Sequence, residues 1–440
     1  MHKINIERLF IMPRHERFNR LQFRAAARVV IGISTSALLI SVILLNLLWT
    51  LRIRAVDNFN YSMYSHPGSS EYESSTDFQS FVASGLAAKS GLNPYASNNP
   101  LVFRVKVPYT DLEVDAPNLN PPISVFIFEM VKWGNINTSF WAWRIISFLL
   151  YTLGILIMAF SFSQHVSTKR ILWLFSLAGL WQTLEMGQIY IILVFILVIC
   201  WCFLRSNRLL GVGILIGLMV AIRPNFGVWP IILLFSGYWK ISLLAFVTTG
   251  IIGILPAFRY GSKIYFQWLE ASSQFKGLTI PGNSSLIGLG AHFDLVLLAA
   301  LLSTFLVVFL IFWTRKSYLP LRDISALAVV GSLLASPITW SGYSLLLLPI
   351  ILERRWNLAL KTSSFLLSTP VFIIFGAADY SRINRIIFGW WYGWALLLVL
   401  AALLRETTFS HEPSRLIHKA KQISLLATQN ISEASWKSEG

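Results

Sequence analysis

The apolar run IYIILVFILVICWCFL occupies residues 189–204 and contains no charged side chain. A helix of this length and composition is more stable in the hydrocarbon interior of a membrane than in water. The whole chain shares this character, since 55% of its 440 residues are hydrophobic and only 13% are charged. Such a composition excludes an ordinary soluble domain and predicts a polytopic membrane protein.

Similar apolar runs recur along the chain, and together they predict an all-α fold with about twelve transmembrane helices. Several runs are short for a bilayer core, so those helices need a tilt or a surrounding bundle to cross it. The predicted spans are residues 29–50, 138–162, 171–186, 189–204, 208–222, 225–239, 241–257, 293–313, 324–337, 341–352, 358–376 and 387–404.

Basic residues predict the orientation. The net charge of +16 arises largely from short basic segments between the apolar runs. If residues 121–133 form an interfacial helix and not a span, most of these segments fall on one side of the membrane, as the positive-inside rule requires. We therefore expect a multi-pass protein of a bacterial-type plasma membrane with both termini in the cytoplasm. Its predicted parts are a basic N-terminus (1–28), a transmembrane domain (29–404) and a cytoplasmic tail (405–440).

The longest predicted external segment, residues 51–137, is expected to fold as a cap over the membrane domain. Its apolar spacing predicts two helices at the membrane surface, near residues 76–90 and 122–133. Asp77 begins the first helix, which is expected to be amphipathic. A carboxylate at an apolar boundary is costly unless it is solvated or paired, so its presence suggests a function. The simpler interpretation is a helix cap.

Other polar residues fall at the predicted outer ends of the spans. Each has a structural explanation of its own, such as a snorkelling side chain, a tight turn, a helix stop or an interfacial tryptophan. Their presence on the same side as Asp77 nevertheless predicts a common site. These residues are Arg144, Glu185, Gln188, Arg223, Asn225, Asn283 and Trp340.

Transfer of a sugar from a lipid-linked phosphate needs such a set. A base must take the proton of the acceptor hydroxyl, and cations must hold the departing phosphate. We predict Asp77 as the base, Arg223 as the main phosphate ligand and Arg144 as the second, because guanidinium donors match phosphate oxygens. Contacts to sugar or acceptor are predicted for Asn93, Tyr95, Glu185, Gln188, Asn225, Asn283 and Trp340.

No metal site is predicted, because the histidines are few and not spaced as ligands and no Asp-x-Asp motif occurs. No cofactor is expected apart from the lipid-linked donor substrate. The expected partners are that donor, a lipid or glycan acceptor and the membrane. Nucleic acid is not expected, since membrane orientation accounts for the basic residues.

Several short motifs resemble glycosyltransferase family 87, over about residues 30–400. The family comprises polyprenol-phosphate-mannose-dependent α-mannosyltransferases and their relatives, which have the GT-C fold. The resemblance implies that Asp77 matches the general base proposed for the family. The motifs are Thr76-Asp77-Phe78, Gly91-Leu92-Asn93-Pro94-Tyr95, Asn120-Pro121-Pro122, Gly187-Gln188, Gly217-Leu218, Arg223-Pro224, Asn283-Ser284-Ser285-Leu286 and Ser336-Pro337-Ile338-Thr339-Trp340.

Two positions depart from the pattern that the resemblance implies. Arg223 stands where lysine is usual, which preserves the cation, and Ser341-Gly342-Tyr343 stands where histidine is common. The resemblance implies an inverting hexosyltransferase, with mannose as the sugar, acting on the extracytoplasmic face. Two alternatives stay open: a lipid or glycan transporter, which should carry ionisable residues near mid-span, and a non-catalytic relative that binds glycolipid.

Overall fold

The structure is a computed structural model, and it describes residues 35–50, 77–96, 104–106, 113–115, 118–131, 136–162, 167–275, 277–317, 319–378 and 381–410. The predicted cytoplasmic N-terminus (1–28) and the tail beyond residue 410 lie outside the described residues. Much of the predicted cap (51–137) also lies outside them, although both of its expected helices are described.

The helical class predicted from composition is confirmed. The first helices are α1 (Thr35–Thr50), α2 (Asp77–Lys89), α3 (Pro122–Met130), α4 (Ile136–Ser161), α5 (Thr168–Ser176), α6 (Ala178–Met186), α7 (Tyr190–Arg205), α8 (Leu209–Ile222) and α9 (Val228–Phe235). The others are α10 (Trp239–Tyr260), α11 (Lys263–Ser273), α12 (Leu286–Ala291), α13 (Val296–Ser317), α14 (Leu321–Ala335), α15 (Leu348–Leu352), α16 (Leu358–Ser368), α17 (Val371–Ala378), α18 (Arg382–Ile387) and α19 (Trp391–Ser410). Short 3₁₀ helices cover Pro224–Gly227, Gly277–Thr279 and Ser341–Leu347.

One short β-ladder interrupts the helical fold. Strands β1 (Arg104–Lys106) and β2 (Glu113–Asp115) pair antiparallel, with Val105 opposite Val114. The composition of the chain did not predict this ladder, because a three-residue strand is too short to give a periodic hydrophobic pattern.

The predicted number of twelve spans is not confirmed. By length and composition, three helices of the described chain can cross a membrane: Asn137–Ser161, Trp239–Tyr260 and Val296–Ser317. The pair α16 and α17 makes a fourth if the two helices, bent by 84°, count as one span. Most of the other predicted spans correspond to shorter helices. A helix such as α7 rises about 24 Å, less than the roughly 30 Å of a bilayer core.

The backbone leaves the helical conformation at two points, the first inside a predicted span and the second just after the predicted end of another. The predicted span 171–186 divides into α5 and α6 at Leu177, whose ψ is 125°. Helix α8 ends at Arg223, whose extended φ and ψ are −142° and 95°. Proline at position 224 explains the second break, because a residue before proline is forced out of the helical region.

Helix α2 is more buried than its predicted position at the membrane surface would allow. Its side chains Phe78, Gln79, Ser80, Phe81 and Val82 are all buried. Helix α3 lies so close to it that a Cβ on Gly85 would be 2.6 Å from the backbone nitrogen of Glu129. The expectation of an amphipathic helix at the surface is therefore wrong, and α2 is an internal element that holds its first residue inside the protein.

The surface of the bundle is strongly apolar. Phe258 on α10 is 86% exposed and Phe312 on α13 is 68% exposed. Large apolar side chains rarely face water over such an area, but they are favourable against lipid. The interior is built around α7 and α14, most of whose side chains are buried. The protein is therefore a helical membrane protein.

Candidate functional site

Asp77 is the first residue of α2 and lies half-buried within the protein. The aromatic ring of Phe78, next to it, packs against Phe140 and Trp143 of α4, with centroid distances of 5.4 and 6.1 Å. Free N–H groups of the first helical turn favour a carboxylate at this end. The packing of Phe78 and the place of Asp77 at the start of α2 together fix the position of the Asp77 carboxylate.

The turn Gly187-Gln188 joins α6 to α7 and contacts Asp77 directly. Gly187 ends α6 with a φ of 66°, a left-handed conformation that glycine adopts without a steric penalty. This turn brings the side chain of Gln188 to α2, and its Nε2 donates a hydrogen bond to Oδ2 of Asp77. Two residues that are 111 positions apart in the chain are thus joined.

Arg223 lies on the other side of this carboxylate. It follows the end of α8, and its charge acts on Asp77 electrostatically. Its guanidinium carbon is 5.2 Å from the ring centroid of Tyr190 and 5.4 Å from that of Tyr343. The Nη2 atom donates a long hydrogen bond of 3.5 Å to the Tyr190 hydroxyl. The site is therefore a carboxylate next to an arginine that contacts two tyrosine rings.

Burial raises the pKa of Asp77 from 3.8 to about 6, and the Gln188 hydrogen bond and the Arg223 charge oppose this rise. The desolvation penalty on the charged form is therefore larger than the stabilisation from both neighbours. A carboxyl group with this pKa is mostly ionised at neutral pH and still accepts a proton readily. Such a value suits a general base.

Several buried polar atoms at this site have no hydrogen-bond partner. They include Oε1 of Gln188, Nε of Arg223, Oγ1 of Thr183 and Oγ of Ser344. A Cβ on Gly342, between Ser341 and Tyr343, would lie 2.8 Å from Oγ1 of Thr183, so this hydroxyl is next to the tyrosine pair. Unpaired buried polar atoms are costly in folded proteins. Their concentration here is typical of a site that binds a polar ligand.

Arg144 and Glu185 form a second polar pair, which Phe140 joins to the first group. The Arg144 guanidinium lies 5.3 Å from the Phe140 ring centroid and 4.9 Å from that of Trp141. Glu185 interacts with it electrostatically. Arg223 is the arginine whose charge acts on Asp77, so it stays the main predicted phosphate ligand and Arg144 the second.

The structure places Tyr95 and Asn93 outside the site. Tyr95 is buried in a small apolar cluster with Val125 and Ile264, and its hydroxyl donates to the carbonyl of Asn120 at 3.0 Å. Asn93 accepts from the backbone N–H of Tyr95 at 2.9 Å. Because the side chain is only 3% exposed, the structure gives no support to the predicted stacking of Tyr95 on a sugar.

Asn283 is a structural residue. It is fully buried, its amide donates to the carbonyls of Leu278 and Pro337, and its Oδ1 accepts from Thr339 N–H at 3.0 Å and from the Ser285 hydroxyl at 3.0 Å. The predicted contact with sugar hydroxyls is wrong, since these bonds use both the donors and the acceptor of the side chain.

The remaining two predicted residues lie nearer to the tyrosine pair. Asn225 is half-buried, and its Nδ2 donates to Oγ of Ser336 at 3.3 Å. Trp340 precedes the 3₁₀ helix that carries Tyr343 and is half-buried against the main core. The structure leaves both as candidates for ligand contact.

Sequence reasoning missed the roles of Tyr190 and Tyr343. Tyr190 follows the Gly187-Gln188 turn by two residues, and Tyr343 follows Trp340 by three. Their closeness in sequence to predicted site residues was the one indication of a role for these tyrosines. This indication was weak, because an aromatic residue at the end of a span is usually interpreted as part of an interfacial belt. Among the described residues, no group of three or more histidine, cysteine, aspartate or glutamate side chains could hold a metal ion.

Comparison with known families decides the class of the protein. The sequence profile of glycosyltransferase family 87 matches residues 118–337, half of the chain. The chain belongs to glycosyltransferase family 87. This membership makes it a glycosyltransferase, as the motifs predicted. No curated protein and no solved structure shows significant similarity to the chain.

The matched region of this family 87 protein contains Gln188 and Arg223 but not Asp77. The fold is what brings Asp77 to them, because α2 packs against α3 and α4 within the matched region. Asp77, the candidate base, therefore precedes the matched region in sequence but is held against it by tertiary packing.

Proposed function

We propose that this glycosyltransferase transfers a hexose, with mannose as the leading candidate, from a polyprenyl-phosphate donor to a lipid or glycan acceptor. The reaction takes place on the extracytoplasmic face of the plasma membrane, in a protein of GT-C type. The observation that carries the proposal is the carboxyl group of Asp77, with a pKa of about 6, next to the Arg223 cation. A base and a phosphate ligand are the two groups that this transfer needs.

In the proposed reaction, Asp77 accepts the proton of the acceptor hydroxyl as its oxygen bonds to the anomeric carbon of the donor. The bond from that carbon to the phosphate oxygen breaks, and its electron pair leaves with the polyprenyl phosphate. Arg223 balances the negative charge that grows on this phosphate. Attack opposite to the leaving group inverts the configuration at the anomeric carbon.

Two observations support the assignment of the remaining roles. Gln188 is tied to Asp77 and leaves its Oε1 unpaired, so we assign it to orienting the base and accepting from a substrate hydroxyl. Asn225 and Trp340 are kept as candidate sugar contacts near Tyr343. We assign Arg144, which is paired with Glu185, to a second cationic site on α4. This site contacts a part of the donor or acceptor that lies farther from the reacting atoms.

The deciding experiment compares Asp77→Asn with the wild type in single-turnover sugar transfer, using purified protein and radiolabelled polyprenyl-phosphate mannose. Asparagine keeps the size and much of the hydrogen bonding of aspartate but cannot take a proton. Turnover is expected to fall by about 10²–10⁴-fold. Donor affinity should persist, and the protein should not lose stability, because asparagine caps a helix about as well as aspartate and carries no buried charge.

Glu185→Gln is the matched control, because it neutralises a second carboxylate at the same face of the bundle. It should reduce transfer much less than Asp77→Asn. Near-normal transfer by Asp77→Asn together with a large loss in Glu185→Gln would move the base to Glu185. Sugar movement without bond cleavage in the wild type would favour the transporter alternative.

A further inference from the structure

Two buried tyrosines from elements that are far apart in sequence contact the Arg223 guanidinium. Tyr190 is the first residue of α7, and Tyr343 belongs to the 3₁₀ helix Ser341–Leu347. They are 2% and 3% exposed, and their ring centroids are 4.4 Å apart. The guanidinium carbon lies at almost equal distances from the two rings, 5.2 and 5.4 Å.

We propose that Tyr190 and Tyr343 are positioning residues that hold the guanidinium of Arg223 in the orientation that receives the lipid-linked phosphate. The inference rests on the proposed function, because it assigns a phosphate to Arg223. It adds two residues that neither sequence reasoning nor the family match assigns to this task.

Contact with the two rings preorganises the arginine. A free arginine side chain has several rotatable bonds and loses rotamer entropy when it becomes fixed. Contact with two aromatic rings and the bond to the Tyr190 hydroxyl restrict it before a ligand arrives. Binding then costs less entropy, which raises affinity without an additional contact to the ligand.

The rings are themselves held in place by close packing. A Cβ on Gly342 would lie 2.3 Å from Cδ2 of Tyr190, so only glycine allows the backbone beside Tyr343 to approach this ring. The ring of Phe226 lies 6.4 Å from that of Tyr343. These neighbours restrict the movement of both rings.

The unpaired Nε of Arg223 agrees with this role. A guanidinium that served only the fold would be expected to have its buried donors satisfied. The Tyr190 hydroxyl accepts a long bond of 3.5 Å, and the Tyr343 hydroxyl also accepts from the guanidinium, while Nε is left without a partner. The edge of the guanidinium keeps donors for an anion.

The test measures binding of farnesyl phosphate, a short polyprenyl monophosphate, to the purified full-length protein in detergent. Tyr190→Leu and Tyr343→Leu each remove one ring, and each should weaken binding by about three- to thirtyfold, the range of a desolvated cation–π contact. Tyr343→Phe keeps the ring and loses only the hydroxyl that interacts with Arg223, so it should bind more tightly than Tyr343→Leu.

Tyr392→Leu is the matched control, because Tyr392 is equally buried and donates to a backbone carbonyl, that of Thr369, far from Arg223 in sequence. It should lower thermal stability like the other leucine variants and leave farnesyl phosphate binding unchanged. Equal weakening in Tyr392→Leu would show that lost binding reports only general destabilisation, and the inference would be overturned.

A double-mutant cycle separates positioning from a direct contact. In an Arg223→Ala background, Tyr343→Leu should cause no further loss of affinity, since there is no guanidinium left to position. An undiminished loss in that background overturns the inference. If Tyr343→Leu does not fold, Arg223→Lys gives the same test, because lysine keeps the charge but not the planar group that contacts the rings. Wild-type affinity in Arg223→Lys would also overturn it.

The two proposals fail in different ways. If Arg223→Ala binds farnesyl phosphate as the wild type does, Arg223 is not a phosphate ligand, and that part of the proposed function falls together with the inference. If Arg223→Ala loses binding while both leucine variants keep it, only the role of the tyrosines is overturned.

Discussion

The protein has two polar clusters at opposite ends of α7, and they differ in how completely they are paired. Tyr190, at the first residue of this helix, belongs to the site of Asp77, Gln188 and Arg223. Trp201, about 16 Å further along the helix, donates from Nε1 to Glu353 at 3.0 Å and belongs to a cluster of charged residues. We refer to the second group as the charge cluster; it comprises Arg322, Asp323, Glu353, Arg354 and Glu406.

Pairing within the charge cluster is extensive. Arg354 is 9% exposed and donates to Glu406 at 2.9 Å, to Asp323 at 2.7 Å and to the carbonyl of Ile350 at 3.1 Å. Arg322 pairs with Glu353. None of the described buried side-chain atoms that lack a hydrogen-bond partner belongs to this cluster.

The site around Asp77 has the opposite character. It leaves buried donors and acceptors unpaired and keeps a carboxyl group with a raised pKa of about 6. A fully paired cluster connects helices and gains nothing from a ligand, whereas an incompletely paired one gains hydrogen bonds when a ligand arrives. Functional sites are where proteins depart from complete pairing. The comparison therefore predicts that the charge cluster serves stability and the Asp77 site serves activity.

The largest expected effect is on stability. Arg354→Ala leaves the carboxylates of Asp323 and Glu406 without their buried partner, which typically costs about 3–5 kcal/mol of unfolding free energy. These carboxylates are 25% and 37% exposed, so the lower end, about 3 kcal/mol, is expected. Thermal unfolding in detergent measures the change, and transfer per folded molecule should stay at the wild-type level.

Arg355→Ala is the control for this variant, because Arg355 is the adjacent arginine but is exposed. Its removal should change stability by less than about 0.5 kcal/mol. If Arg354→Ala lost transfer while keeping its stability, the division of roles between the two clusters would be wrong.

The second prediction concerns pH. Only the ionised form of Asp77 accepts a proton, so transfer should fall about tenfold for each pH unit below a pKa of about 6. The groups that face this carboxylate are Gln188, Arg223 and Tyr190. Rates from pH 4.5 to 8 measure the effect. Arg354→Ala should show the same acid limb, because the charge cluster does not touch Asp77.

Stability should respond to pH in the opposite direction. The folded protein raises the pKa of Asp77 above 3.8, so between pH 3.8 and about 6 the folded state holds more protons than the unfolded chain. The contribution of this group to stability therefore rises as pH falls through that window. In Asp77→Asn this contribution should vanish. A rate that stays constant down to pH 5 would contradict the role of Asp77 as the base.

The smallest effect comes from the turn between α6 and α7. Alanine at Gly187 would adopt a φ of 66° and place its Cβ 2.6 Å from Cβ of Phe78 and 2.8 Å from Cε2 of Phe140. Gly91→Ala is a close control, since Gly91 has a φ of 73° and nothing lies within 4 Å of its added Cβ. The difference in stability between the two variants should be about 1–3 kcal/mol, the cost of overpacking.

The two variants should also differ in sugar-transfer activity. The collision at Gly187 moves either Phe78, the neighbour of Asp77, or the turn that carries Gln188, so Gly187→Ala should lose activity and Gly91→Ala should not. Equal activity in both variants would indicate that the turn does not set the geometry of the base.

Part of this site was predictable from the amino-acid order. Asp77, Gln188 and Arg223 were expected together because they fall at the predicted outer ends of apolar runs, and the structure joins them. Asn283 was expected for the same reason, and Tyr95 as a residue that could stack on a sugar, yet the polar atoms of both already have partners within the protein. Position along the chain says that a residue is at a helix end. It does not say whether its polar atoms already have partners there.

The sequence by itself determined the class of the protein and its helices. Apolar runs give helices in lipid because every backbone polar group must be bonded within the segment, and most of the predicted spans correspond to helices of the fold. Tertiary structure alone decided that α2 is buried, which raises the pKa of Asp77, and that Tyr190 and Tyr343 contact Arg223. The physical reason is that desolvation and aromatic stacking depend on atoms from distant segments, and periodicity carries no information about which segments meet.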